Sequence, residues 1–483
     1  MEEISNSTEN PFDEERRFIL GNIYLANVKN RLRELTNPNE IDCKRWIWEL
    51  VQNAKDSISG QKDKTSVDIE IEVKNNKYIF KHNGSPFTIR TLTALLYKYS
   101  EGKTNNGEST GRFGTGFLTT HSLSKIVKIK GDIIEKNKTN SQGFSIIMYR
   151  DGEDKDLLEG LKKTEKSFIT PIESDGWTSY EYETFSTRNK EAGKLGIKYF
   201  KENIEKVMLF CPEINSIKLN ENGKIFSIIR LDMINNILGE CKKIILQIND
   251  GKLNFRKTFL YINIEEKNNQ LTEKFEKDRN IRICCAIELD KDNNICEDKI
   301  SPNLFCSLPL VGSEKHKLPF IINSPDFEPD SERQAILLDG DEINKETGKI
   351  SDPGINKMIL LKAQKMFKSL IDYICKNEIG NRYHLLRGLT SIPDITRFFD
   401  THWYLEHFIY PMRNILLDFP IVWNGKQYKT IKDTYFPNMT YYKNEDDQRK
   451  AYNFISQLYN CNIPTFEESK IYEKILWKKD ARI

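Results

Sequence analysis

Three short blocks follow one another inside the first quarter of the 483-residue chain: Glu49-Leu50-Val51-Gln52-Asn53-Ala54-Lys55-Asp56, His82-Asn83-Gly84 and Gly111-Arg112-Phe113-Gly114-Thr115-Gly116-Phe117. Each is weak alone. In this order they demand an early helix, a hairpin exit and a glycine-rich loop around a common ligand. Ile47, Leu50, Val51, Ala54 and Ile58 recur at helical period and predict a helix over about 42–58. Glu49, Asn53 and Asp56 then share a second, polar face. An Asn oxygen suits Mg²⁺, a hard ion that keeps several waters and binds phosphates. A Glu one turn earlier suits a general base for a water attacking a γ-phosphate. An ordinary solvated helix face is the competing reading of these residues taken alone.

Val67, Ile69, Ile71 and Val73 alternate with Asp68, Glu70 and Glu72, which predicts a half-buried strand, and Asn75-Asn76 turns it into a second strand over 77–81. That hairpin exits at His82-Asn83-Gly84. Gly84 lets backbone approach a ligand closely. Asn83, or an imidazole nitrogen of neutral His82, can accept a hydrogen bond from an adenine amino group; a plain turn-favouring Asn-Gly is the alternative. Residues 99–112 read as a mobile loop, and the run Gly111 to Phe117 leads into a helix predicted over about 117–124. Free N–H groups there would receive an anion. No Gly-Lys-Ser/Thr follows, so this is not a Walker A loop, and no strand stands immediately before it as a dinucleotide fingerprint requires.

Further helices are predicted over about 13–35, 190–210 and 354–376, and further strands at 126–130, 144–149, 177–184, 216–219, 224–230, 243–248, 257–264 and 281–289. With 38% hydrophobic and 30% charged residues the composition is that of a soluble globular protein. A net charge of +2 exerts no global pull toward nucleic acid or membrane. No apolar run approaches the roughly 20 residues needed to span a bilayer. The polar start, Met1-Glu2-Glu3-Ile4, is no secretory signal. The nine cysteines form no CxxC pair and no zinc or disulfide spacing, which points to free thiols in a reducing cytoplasm. His402 and His407 are ill-spaced for a metal site on one helix face.

The three blocks resemble the N, G1 and G2 boxes of the GHKL ATPase superfamily. Glu49, Asn53 and Asp56 match the N box, and Gly111, Gly114 and Gly116 match the G2 box. Within the superfamily the chain is most similar to the sacsin-like, heat-shock-chaperone-like group, in His82-Asn83-Gly84-Ser85-Pro86-Phe87 and in Gly111 to Phe117. The likeness continues through Trp177-Thr178, residues 207–217, Leu304 to Leu310, Leu318 to Asn323 and Ser331-Glu332-Arg333-Gln334. His82 stands where the heat-shock class carries an adenine-binding Asp.

The resemblance implies an α+β chain in three parts. A Bergerat-type two-layer α/β sandwich spans 1–210, with residues 1–40 a candidate dimerisation strap. A strand-rich, transducer-like domain spans 211–345, and a mixed, mainly helical region of unassigned role spans 346–483. ATP and Mg²⁺ would be held by Asn53, Asp56, His82, Asn83, Gly84, Lys103, Gly111, Arg112, Phe113, Gly114, Thr115, Gly116 and Phe117, with Asn53 on the metal and Glu49 as base. Arg333 is the expected γ-phosphate sensor, followed by Arg112. The expected activity is a slow ATPase switch acting on a protein partner or client, as a chaperone-like module or the nucleotide-sensing part of a prokaryotic antiviral system. A non-catalytic nucleotide-binding scaffold is the alternative. A histidine kinase is disfavoured because no phosphoacceptor-His helix precedes the first block.

Overall fold

A computed structural model describes residues 11–61, 63–98, 116–135, 140–231, 238–268, 279–297, 301–330, 333–389, 393, 395, 397–459 and 462–476. It is a mixed α/β structure whose chain divides into two compact units, residues 1–229 with 248–254, and residues 230–247 with 255–483. Among the described residues no helix is long and apolar enough to cross a membrane.

The first unit opens with helices α1 (Pro11–Glu34) and α2 (Glu40–Asp56) and the hairpin β1 (Val67–Lys74) and β2 (Lys77–His82). A short β3 (Phe87–Thr88) and α3 (Ile89–Tyr97) follow. Beyond a 3₁₀ turn at Gly116–Ser122 come β4 (Ile126–Ile134), β5 (Gln142–Tyr149), α4 (Asp154–Lys166), β6 (Ile169–Ile172), β7 (Thr178–Glu183), α5 (Thr187–Phe210), β8 (Ile214–Glu221) and β9 (Lys224–Arg230). The strand order is β9-β8-β1-β2-β7-β4-β5-β6, with β3 beside β4. The sheet is mixed: β1 pairs β8 in parallel and β2 antiparallel. As the alternation predicts, Val67, Ile69, Ile71 and Val73 are buried, and so are Tyr78, Phe80, Val127, Ile129, Phe144, Ile146 and Tyr182.

Helices α2 and α5 pack on that apolar face. Two glycines of α5 permit the close approach: a β-carbon at Gly193 would stand 2.4 Å from the Tyr78 ring, and one at Gly196 would stand 2.0 Å from Trp46 Nε1. The Trp46 indole donates instead to the Ala192 carbonyl at 3.1 Å. Helix α4 covers part of β5, whose Ile147 and Tyr149 N–H groups donate to Ser167 Oγ and Thr164 Oγ1 at 2.8 and 2.9 Å. Neither α3 nor α4 was expected from the sequence.

The second unit holds β10 (Lys242–Asn249), β11 (Asn254–Asn268), β12 (Arg279–Leu289), β13 (Leu304–Cys306), β14 (Leu308–Pro309) and β15 (Ile321–Asn323), in the order β10-β11-β12-β15-β13-β14. Helix α6 (Asp352–Lys376) starts at an N-cap, Ser351, whose side chain accepts from Gly354 N–H, and has Pro353 in its first turn. Its Ile359, Ala363, Phe367 and Leu370 share one core with Leu260 and Ile283 of the strands and with Tyr404, Phe408 and Tyr472 further on. Packing is therefore continuous across residue 345.

Candidate functional site

Helix α2 is the spine of the site. Asn39 caps it, accepting from Asp42 N–H while the Asp42 carboxylate accepts from Asn39 N–H, and the acidic first turn suits the helix dipole. One turn apart on its buried side lie Arg45 and Glu49. Arg45 donates to Glu49 Oε1 at 2.8 Å, with side chains only 9% and 10% exposed. A carboxylate so buried needs such a partner, because an unpaired charge there would be strongly destabilising. The other oxygen, Oε2, lies against the glycine-rich block: a β-carbon on Gly116 would fall 1.8 Å from it.

Asn53 and Asp56 follow along the helix and are half-buried. The Asn53 carbonyl accepts from the Ser57 N–H at 3.0 Å, and Gln52 Nε2 approaches Asp56 Oδ2 at 3.5 Å. At this end of α2 the hairpin exit arrives. A β-carbon on Gly84 would stand 1.9 Å from Ser57 Oγ. Two of the three sequence blocks thus meet the first along one helical stretch.

His82 and Asn83 point to different neighbourhoods. His82 is 2% exposed, at the end of β2, with its ring stacked on Tyr180. Its Nδ1 accepts the Gly84 N–H at 3.1 Å. Burial, aided by the nearby Lys64 charge, pushes its pKa down to about 3, so the ring is neutral and carries its proton on Nε2. The remaining nitrogen is a donor, and the sequence expectation of an imidazole acceptor for an amino group is reversed. Asn83 is engaged by Asp68: its Oδ1 accepts the Asp68 N–H at 2.7 Å and its Nδ2 donates to Asp68 Oδ2 at 2.9 Å. The Asn83 carbonyl accepts from Lys64. Burial alone would raise the Asp68 pKa, but hydrogen bonds from Ser216, Asn215 and Asn83 hold it below its ordinary value.

Of the glycine-rich block, Gly116 and Phe117 are seen; Lys103, Gly111, Arg112, Phe113, Gly114, Thr115 and the loop 99–112 lie outside the described residues. Gly116–Ser122 is a 3₁₀ turn, where an α-helix over 117–124 was expected. The run Thr119-Thr120-His121-Ser122 has weak helix propensity, and its groups bond locally. Thr120 Oγ1 donates to the Phe117 carbonyl at 2.8 Å, and His121 lies 2.9 Å from the Ser124 carbonyl and 3.1 Å from Arg150. Phe117 is buried against Tyr180, so one tyrosine ring touches residues of both the second and third blocks.

Arg333 belongs to the second unit and has a left-handed backbone, φ 52°. Its N–H donates to the Asp330 carbonyl at 2.9 Å and its guanidinium to the Cys306 carbonyl at 3.0 Å.

Sequence reasoning passed over Arg45, Lys64, Tyr180 and the placement of Thr178. Arg45 was findable, since it stands four residues before Glu49 on a predicted helix. Thr178 is buried, pairs with His82 across β2 and β7, and has its side chain beside Gly131, where a β-carbon would fall 2.9 Å from Oγ1. Lys64 and Tyr180 carry no local signal. Among the described residues no group of three or more His, Cys, Asp or Glu side chains could hold a metal ion. In comparison with known proteins, no family model matches this chain and no curated protein matches it.

Proposed function

We propose that the first unit is a nucleotide pocket of the Bergerat type and that the chain is a sacsin-like GHKL ATPase, hydrolysing Mg·ATP slowly as a conformational switch. The observation that carries this reading is the convergence on α2: Gly116 packs on Glu49, and Gly84 packs on Ser57 one turn beyond Asn53. At both contacts the place a β-carbon would take is already held by Glu49 Oε2 or Ser57 Oγ, so only glycine allows so close an approach.

In this reading Glu49 takes the proton of a water whose oxygen bonds to the γ-phosphorus. The bond to the β–γ bridging oxygen breaks, releasing ADP and phosphate. Asn53 would offer an oxygen to Mg²⁺, a hard ion that would neutralise charge on the phosphates when bound. His82, neutral and buried, donates to a ring nitrogen of the base, with Thr178 beside it. The Gly111–Gly116 run, with Arg112 or Lys103, is the phosphate-binding element of this reading, and Arg333 its γ-phosphate sensor. Conformational steps gate turnover in such switches. The output of this reading is contact with a protein partner, in a chaperone-like or antiviral setting, with the segment 1–40 as the candidate strap that pairs two chains.

The deciding experiment is calorimetric titration of Mg·ATP and a non-hydrolysable analogue, with the ATPase rate measured alongside. Binding of both with slow turnover supports the reading. Binding without turnover leaves a nucleotide-binding scaffold, and absence of binding removes the pocket.

A further inference from the structure

We infer that Arg45 is a positioning residue that fixes the direction in which Glu49 presents its free oxygen; the inference rests on the reading of Glu49 as the base. A glutamate reaches its carboxylate through three rotatable bonds, so a general base built on it must be held. Two contacts hold it here, and they are not equivalent. Arg45, one turn earlier on the same helix, binds Oε1 at 2.8 Å. Gly116 offers no side chain and lies against Oε2. The two oxygens are thereby told apart: Oε1 is tied to the guanidinium, and Oε2 faces Gly116 near the end of the glycine-rich block. Both side chains are about nine-tenths buried, so water does not compete strongly for the pair.

A merely structural ion pair would lower stability when broken and leave the chemistry of a folded variant alone. A positioning pair acts through Glu49, and its loss must vanish when Glu49 is already disabled. The test is a kinetic cycle on the full chain with Mg·ATP: wild type, Arg45→Ala, Arg45→Lys, Glu49→Gln and the double variant Arg45→Ala/Glu49→Gln. Analogue affinity is measured for each by calorimetry. Arg45→Ala is expected to lower kcat by about 10- to 100-fold, with KM and analogue affinity changed by less than about twofold. Arg45→Lys, which keeps the charge without the planar fork, should recover part of the loss. The double variant should be no slower than Glu49→Gln alone.

Wild-type kcat in Arg45→Ala overturns the inference, as does a double variant whose loss is the product of the two single losses. If Arg45→Ala does not fold, Arg45→Lys alone and combined with Glu49→Gln carries the same comparison, and a kcat loss that persists in the combination overturns it. Wild-type turnover in Glu49→Gln is a separate result that removes the base assignment itself, and the role of Arg45 with it.

Discussion

Glu49 Oε2 lies over the α-carbon of Gly116, so close that a β-carbon there would stand 1.8 Å from the oxygen and 2.7 Å from the carboxyl carbon. A side chain at 116 could not be accommodated without displacing the carboxylate. The contact ties the helix that carries the proposed base to the end of the glycine-rich block.

Gly116→Ala should therefore move Glu49 out of place. Overpacking of this kind costs about 1–3 kcal/mol, readable as a lower urea midpoint. Displacement of the base should lower kcat by about 100-fold. A variant with wild-type midpoint and rate would show that the carboxylate finds an equivalent position elsewhere.

Asn53→Ala should weaken nucleotide binding only when Mg²⁺ is present. Loss of one protein ligand is expected to cost about tenfold in Mg·ATP affinity, or about 1.4 kcal/mol, with metal-free ATP bound as before. Equal losses with and without Mg²⁺ in calorimetry would assign Asn53 to the nucleotide rather than the ion.

The first unit should lose stability on mild acidification. Burial holds His82 at about 3 and His121 well below its usual 6.5. Both folded values lie below the unfolded one, so the unfolded chain binds more protons as pH falls through 6.5. Stability is full above that pH and falls by about 1.4 kcal/mol per pH unit per histidine below it. Lys125, lowered by burial to about 8, acts only above that pH and leaves the window from 6.5 to 5 to the histidines. In the second unit Glu468, raised by burial to about 7, opposes the trend by taking up a proton on folding. Hydrogen exchange in peptides covering 116–135 should report lower opening free energies at pH 5 than at pH 7. Equal values would mean that these rings accept protons in the folded state.

Arg333→Ala should leave ADP affinity intact while reducing both the preference for ATP and the turnover rate. Charge-assisted hydrogen bonds to a phosphate are the stronger use of a guanidinium. At present its guanidinium donates to the Cys306 carbonyl. Unaltered ATP/ADP discrimination would confine Arg333 to holding its own loop.

Much of the first unit was legible because its signals are periodic. The alternation of Val67, Ile69, Ile71 and Val73 and the helical spacing through Ile47, Leu50, Val51 and Ala54 both describe burial on one face, and burial is what the structure delivers. The candidate pocket was legible as residue types in order. The polarity of its groups was not. That His82 is left as a donor depends on the Gly84 N–H reaching Nδ1, a consequence of turn geometry. That Asn83 serves Asp68 depends on a strand pairing with β8 that brings Asn215 and Ser216 to the same carboxylate from more than a hundred residues away. The 3₁₀ turn at Gly116–Ser122 was missed because a short polar run has no period to read, and its hydroxyl groups settle locally what an α-helix would have shared.

The glycines at 193 and 196 have a consequence for how any switch can operate. Trp46 and Tyr78 are seated against α5 so tightly that a single added carbon at either glycine would collide with them. Sliding α2 by even one residue, about 1.5 Å along its axis, would drive the indole out of its seat and break its bond to Ala192. The helix bearing Glu49 and Asn53 is thus the anvil of the site rather than its hammer. On the proposed reading, whatever a bound nucleotide set in motion would have to swing against it.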